Sequence, residues 1–465
     1  MRVLRTFNGL KNNNRNRCLL IATCLFFLLF TQATYSYGEL AAPPPEEIKL
    51  NILESTDNNT VINIFFDGSL SMKGYVVSER FTSYKTLVNN LESIITARWP
   101  KSILNIYKFG SKVFKLKERN DVLMAVNSAF YEEKGISFKT YIDKVFDENG
   151  VCDNNTMSVV ITDLFQSDGD INRVLKKINE KCMEKSVAVG VIGIKSEFKG
   201  VVTDIGLYEK GLPYSSKRDS KDTYRPFYLL IFGPYNNVLD FFDSLSEKLP
   251  AVSTDMYEFK DKMTIFYSHM VNPLISFEGS KFESLNKTAR ETSGLINNKT
   301  YQKEIVKQYR VLNEAGAGVR LSLKTHPLKY IPAFCESKIK ATYKIEKFFN
   351  GQFITKDDFF NISSGTEDNN TIFIEVKIKK KIWDGGLFRI SVTLNAEKEA
   401  LNNNENWWND WNLKLDDLDK WRKFQFLFPG YKTVNLNTFM SSLSDMTIQK
   451  SDLKLGQLYF YLMID

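Results

Sequence analysis

The sequence predicts an α/β protein: a doubly wound, mostly parallel sheet in the first half of the chain, followed by β-rich sandwich modules. Three observations predict it. First, between residues 49 and 249 short runs rich in β-branched and aromatic residues, such as 61–66, 156–162 and 227–233, alternate with stretches whose apolar residues recur at helical spacing. Such runs read as strands buried on both faces, and strands alternating with helices imply parallel pairing. Second, beyond Pro250 the texture changes to strand-length segments punctuated by Asn350-Gly351 and Asp384-Gly385-Gly386, which supply turn chemistry. Third, two of the early apolar runs end abruptly in Asp67 and Asp163, the position at which open α/β sheets place their ligands.

Residues 1–37 are expected to stand outside the fold. Arg2, Arg5, Lys11, Arg15 and Arg17 precede an unbroken apolar and small-residue run from Cys18 to Phe30, and small residues follow at Thr34-Tyr35-Ser36. This is the layout of a secretory leader, or of an uncleaved anchor, and it predicts export to a periplasmic, cell-surface or secreted location. Membrane attachment is expected only through residues 18–30. A Pro-rich linker fills 38–48, the α/β domain 49–250, one β-rich module 251–348 and a second 349–465. The 465 residues, 43% hydrophobic and 25% charged, are ordinary globular composition. Removing the leader's five positive residues from the formal charge of +7 leaves +2, so no overall bias toward nucleic acid or acidic lipid remains.

Within the first domain, helices are expected at 83–97, 121–130, 141–146 and 171–183, with Val174, Leu175 and Ile178 facing inward. Strands are expected at 102–109, 113–116 and 186–194. Residues 196–225 form a long polar excursion where a helix would be expected, with Lys217-Arg218-Asp219-Ser220-Lys221 either solvated or facing an acidic partner. A final strand at 227–233 and a helix at 236–249 close the domain. Later strands are read at 263–269, 319–324, 338–345, 371–377 and 387–394, with 301–311 alone helical, in immunoglobulin-like modules divided near 348–353. Trp407, Trp408, Trp411 and Trp421 either plug the tail onto its neighbour or form a carbohydrate platform. A short helix at 434–443 and a strand at 453–464 end the chain.

Asp67, Ser69 and Ser71 group three hard oxygen donors in one strand-to-helix loop, the ligand chemistry of Mg²⁺ or Mn²⁺. The plainer reading is a turn in which Gly68 and Ser69 supply geometry and a helix cap. Gly135-Ile136-Ser137-Phe138-Lys139-Thr140 and the run ending at Asp163 add to the pattern. On these residues the chain resembles the von Willebrand factor type A (VWA) family. That family's metal-ion-dependent adhesion site reads Asp-x-Ser-x-Ser, then a Thr, then an Asp at the end of a later strand. The resemblance implies a Rossmann-like fold in which Ser69, Ser71 and Thr140 donate hydroxyl oxygens to the ion, and Asp67 and Asp163 hold its waters. The remaining coordination position would be left for a carboxylate of a protein partner. Met72 and Gly74 suit the family's continuation of the first motif. Ser137 stands close enough to serve in place of Thr140, and Leu164-Phe165 stands where the family commonly has Gly.

Cys152 and Cys182 precede two strands expected to be neighbours and either form a disulfide, adding about 3 kcal/mol, or stay buried thiols. His269 and His326 are the only histidines, and no nucleophile elbow, P-loop, dinucleotide fingerprint or zinc spacing occurs. The expectation is therefore an exported binding protein and not an enzyme. A structural component of an envelope complex with a vestigial metal site, or a carbohydrate binder using the tryptophans, are the alternatives.

Overall fold

The computed structural model describes residues 60–465 apart from 78–81, 118–119, 149, 186, 204–210, 218–219, 253, 268–279, 297–305, 325–329, 331–338, 357, 369–370, 397–405, 425–427 and 451–453. The expected leader and linker, both histidines, Cys335 and the Asn-rich stretches at Asn297 and Asn403 lie outside the described residues.

The early apolar runs form β1 (Val61–Asp67), β2 (Ile103–Phe109), β3 (Val113–Lys115), β4 (Thr156–Thr162), β5 (Ala188–Ser196), β6 (Lys199–Val202), β7 (Leu212–Ser215), β8 (Arg225–Gly233) and β9 (Met263–Phe266). Between them lie α1 (Ser83–Arg98), α2 (Asn120–Met124), α3 (Ile171–Lys181) and α4 (Tyr235–Val252). Seven strands make one sheet in the order β3-β2-β1-β4-β8-β5-β9, and β6 and β7 pair as a separate hairpin. The strands read as continuous apolar runs because both faces are covered. Ile62, Ile64 and Phe66 of β1 join one core with α1 and α4, while Phe65 joins another with α3. α1 starts where the Thr82 hydroxyl accepts from the Lys85 amide at 3.2 Å. Its Leu87, Val88, Leu91, Ile94 and Ile95 are fully buried, worth roughly 2 kcal/mol each.

Four differences from the sequence reading have physical causes. The sheet is mixed and not mostly parallel: only β1–β2 and β1–β4 pair parallel, and β8 runs antiparallel between β4 and β5. Composition marks β8 as a buried strand but carries no sign of its direction, which the connection after β5 decides. β9 pairs with β5, so the sheet continues past the expected boundary at 250. The expected helices at 121–130 and 141–146 are reduced to α2 and short 3₁₀ turns at Ser128–Tyr131 and Ile142–Asp147. Residues 306–311 of the expected helix are a strand, because their backbone pairs with a neighbouring strand on each side.

The remaining strands are β10 (Lys281–Leu285), β11 (Ala289–Glu291), β12 (Val306–Val311), β13 (Gly318–Lys324), β14 (Ile339–Phe349), β15 (Gln352–Thr355), β16 (Phe360–Asp368), β17 (Thr371–Ile378), β18 (Gly386–Ala396) and β19 (Lys454–Ile464). They form a four-stranded sheet, β10-β13-β17-β16, and a six-stranded sheet, β11-β12-β19-β18-β14-β15. Alternate residues of the two sheets, such as Ile372, Ile374 and Val376 against Phe388, Ile390 and Val392, share one core. This differs from two modules divided at 348: the expected boundary is the β14–β15 hairpin inside one sheet. Between β18 and β19 the chain leaves the sandwich as α5 (Trp408–Trp411), α6 (Leu415–Phe424) and α7 (Leu436–Lys450). Trp408, Trp411, Leu436, Phe439, Met440 and Leu443 pack into the α3 face of the first sheet. The tryptophan segment is thus a plug, with the Trp407 indole N–H donating to Thr264 Oγ1 at 3.0 Å. Among the described residues no helix is long and apolar enough to cross a membrane.

Candidate functional site

Parallel pairing of β1 with β4 brings two carboxylates to one edge. The register sets Phe66 beside Ile161, so Asp67 lies level with Thr162 and Asp163 follows one residue on. Both aspartates are fully buried. Asp67 Oδ2 accepts from Thr162 Oγ1 at 2.8 Å and Oδ1 from the Ser69 amide at 3.0 Å. Burial first, and the neighbouring Asp163 second, push the Asp67 carboxyl up to about 7; its hydrogen bonds pull the other way without prevailing.

Three loops meet above these groups and are stitched by their backbones. The Gly68 amide donates to Phe109 O at 2.7 Å, the Leu70 amide to Ser137 O at 2.9 Å, and the Ser167 amide to Thr140 O at 3.0 Å. Ser167 Oγ accepts from the Thr140 amide at 2.8 Å. A side chain at Gly68 would collide with the Lys108 stem, and one at Gly74 with the Phe198 ring, both within 2.4 Å. Leu164 follows Asp163 in the left-handed region at φ 62°. The residue at this position must therefore adopt a conformation natural to glycine and costly for leucine. Here Leu164 is held by burial in the core below.

Ser69, Ser71 and Thr140 line a cleft of about 630 Å³. The Ser69 and Ser71 hydroxyls are 2.9 Å apart. Thr140 Oγ1 and Ser137 Oγ are buried and have no hydrogen-bond partner among the described residues, a costly state for a hydroxyl that nothing else satisfies. Lys73, Lys139 and Lys199 stand in the cleft wall, and the described lining holds no acidic side chain. Leu70, Phe138 and Val201 expose apolar surface around it.

The sequence reading missed Arg225. Because β8 is antiparallel, its first residue arrives at the edge where β1 and β4 end. Arg225 is 1% exposed, its Nη2 lies 3.6 Å from Asp163 Oδ2, and Nη1 donates to Gly430 O at 2.8 Å. Its guanidinium lies 5.4 Å from the Phe198 ring centre. The available signal was an arginine directly before an apolar strand, at the end of an unusually long connection.

The residues suit a hard divalent ion in donor chemistry: paired hydroxyls, an orphaned third hydroxyl and two carboxylates behind them. Arg225 opposes it by offering Asp163 a cation already built into the fold. Among the described residues no three His, Cys, Asp or Glu side chains gather in a group that could hold a metal ion. At the opposite edge of the sheet Cys152 and Cys182 are joined by a disulfide with Cα atoms 5.0 Å apart. They precede β4 and β5, which are not neighbours as expected but are separated by β8. No family model matches the chain, and no curated protein matches it.

Proposed function

We propose that the first half of the chain is a VWA-type domain and that the protein is an exported binding protein. In this reading the cleft over Asp67 and Asp163 takes Mg²⁺ or Mn²⁺ and, with it, a carboxylate of a partner protein. The observation that carries the reading is the cleft's make-up: unpartnered or mutually bonded hydroxyls at its floor, lysines in its wall, no acidic residue in its described lining and an apolar collar. When bound, the ion would supply a Lewis-acidic centre that neutral hydroxyls leave electrophilic toward an incoming carboxylate. The chain's own residues do the rest. Ser69, Ser71 and Thr140 present oxygens, Asp67 and Asp163 supply the negative charge beneath them, and Lys139 and Lys199 draw an anion toward the opening. Phe138 and Leu70 offer area that a partner surface would cover. The β-rich half, an immunoglobulin-like sandwich in this proposal, braces the domain.

Arg225 favours a second reading, in which the site is closed by the protein's own cation and the domain serves as a structural component of an envelope complex. A binding experiment separates the two. Aspartate-bearing peptides should be retained by the wild-type protein in Mn²⁺ and released by EDTA, and Ser71→Ala should weaken retention at least tenfold. Retention that survives chelator and this substitution alike would refute the metal-dependent mechanism.

A further inference from the structure

A separate surface lies on the turn joining β17 to β18 of the sandwich. Trp383 is 97% exposed there, although tryptophan ordinarily buries most of its large apolar area. The turn that carries it is clamped on both sides. Ile382 is buried in the sandwich core, its amide donates to Asn313 Oδ1 at 2.7 Å, and its carbonyl accepts from Asn313 Nδ2 at 2.6 Å. Lys347 Nζ donates to the Asp384 carboxylate at 3.1 Å and to its carbonyl at 3.2 Å. The backbone on both sides of Trp383 is thereby held, and the one acidic group of the turn is already paired. Lys379, Lys380 and Lys381, all exposed, precede it. The register of β14 with β18 sets Lys347 opposite Phe388 and so carries Phe349 level with Gly386, at the same end. Phe349 and Ile354 are 55% and 45% exposed.

We infer that this end of the sandwich is a docking surface for an anionic phospholipid bilayer. Trp383 enters the headgroup region with Phe349 and Ile354 beside it, and Lys379, Lys380 and Lys381 lie against the phosphates. An indole suits this boundary because its ring is apolar while its N–H reaches a polar headgroup. Each lysine near an anionic leaflet raises partition roughly fivefold. The attraction is local, because Lys379, Lys380 and Lys381 are consecutive and exposed beside Trp383.

The test uses the full chain with vesicles of phosphatidylcholine alone or mixed with phosphatidylserine, carrying brominated acyl chains that quench tryptophan on contact. Of the six tryptophans only Trp383 is exposed, and residues 1–59 contain none, so attachment through residues 18–30 leaves the signal unchanged. Anionic brominated vesicles should quench the wild-type emission, and Trp383→Phe should abolish the quenching. The triple substitution Lys379→Glu, Lys380→Glu, Lys381→Glu should raise the lipid concentration for half-quenching on the order of 100-fold or more. Equal quenching in Trp383→Phe, no quenching in the wild type, or neutral vesicles acting as well as anionic ones would overturn the proposal. So would capture of an acidic protein at the tip without any quenching by lipid.

Discussion

Two seams of the same sheet meet at the candidate site and contribute opposite charges. The parallel seam, β1 with β4, delivers strand ends: β1 closes on Asp67, and Asp163 directly follows β4. The antiparallel seam, β8 between β4 and β5, delivers a strand start to that edge, and the start is Arg225. A wholly parallel sheet gathers only carboxyl-terminal residues at its ligand edge. Reversing one strand lets the fold place a buried cation among buried carboxylates without a loop reaching in. The difference teaches that strand direction, and not only strand content, sets the charge balance of the site.

The comparison is broken most forcefully at Arg225. Arg225→Met should cost roughly 3–5 kcal/mol at pH 7.5, because Asp163 keeps its burial and loses its cation. Urea unfolding of the single variant and of Arg225→Met with Asp163→Asn checks this; the double variant should regain a good part of the loss. A single-variant loss under 1 kcal/mol would mean the antiparallel seam contributes no needed charge. The parallel seam is probed by pH. The folded Asp67 carboxyl sits near 7 against 3.8 in the unfolded chain, so between those values the folded state holds a proton that the unfolded state has released. Its contribution is complete below about pH 4 and is lost as pH rises through 7, a change of about 4 kcal/mol. In EDTA, Asp67→Asn should flatten that slope in urea midpoints taken from pH 5 to 8.

The far edge sharpens the same contrast. The disulfide spans β4 and β5 across the reversed strand and closes a loop with a sequence separation of 30. Its reduction should cost about 3 kcal/mol, read as a lowered urea midpoint in dithiothreitol. The smallest effect belongs to Thr140. Its hydroxyl is buried without a partner, so Thr140→Val should leave metal-free stability unchanged or raise it by up to about 1 kcal/mol. A loss above 1 kcal/mol would show that the hydroxyl is satisfied by bonding within the fold.

Much of this was legible in the residues, and the illegible part has a common cause. The strands at 61–67 and 156–162, and the aspartates that end or follow them, are local features written in apolar runs and abrupt polar stops. Ser69 and Ser71 followed from their grouping in one loop, whereas Thr140 followed only from the resemblance to the VWA family. Arg225 did not, because its role depends on the direction of β8 and on Gly430, 205 residues away. The strand at 306–311 was misread as helical because its partners, β11 and β19, are set by tertiary pairing. The division at 348 failed similarly: Asn350-Gly351 does mark a turn, but a turn within a sheet and one between modules carry the same residues. Leu164 shows the converse, a backbone demand for φ 62° that its side chain conceals.

The most direct measurement is a Mn²⁺ titration of the purified protein followed by electron paramagnetic resonance, carried into the millimolar range beside Thr140→Val. The account predicts one bound Mn²⁺ in the wild type, with affinity rising as pH increases through 7 because the Asp67 proton must leave. Thr140→Val should weaken it at least tenfold while the fold stays intact. No bound Mn²⁺ at any pH from 6 to 8.5, in a folded wild-type protein, would contradict the central claim and leave Arg225 as the only cation the site accepts.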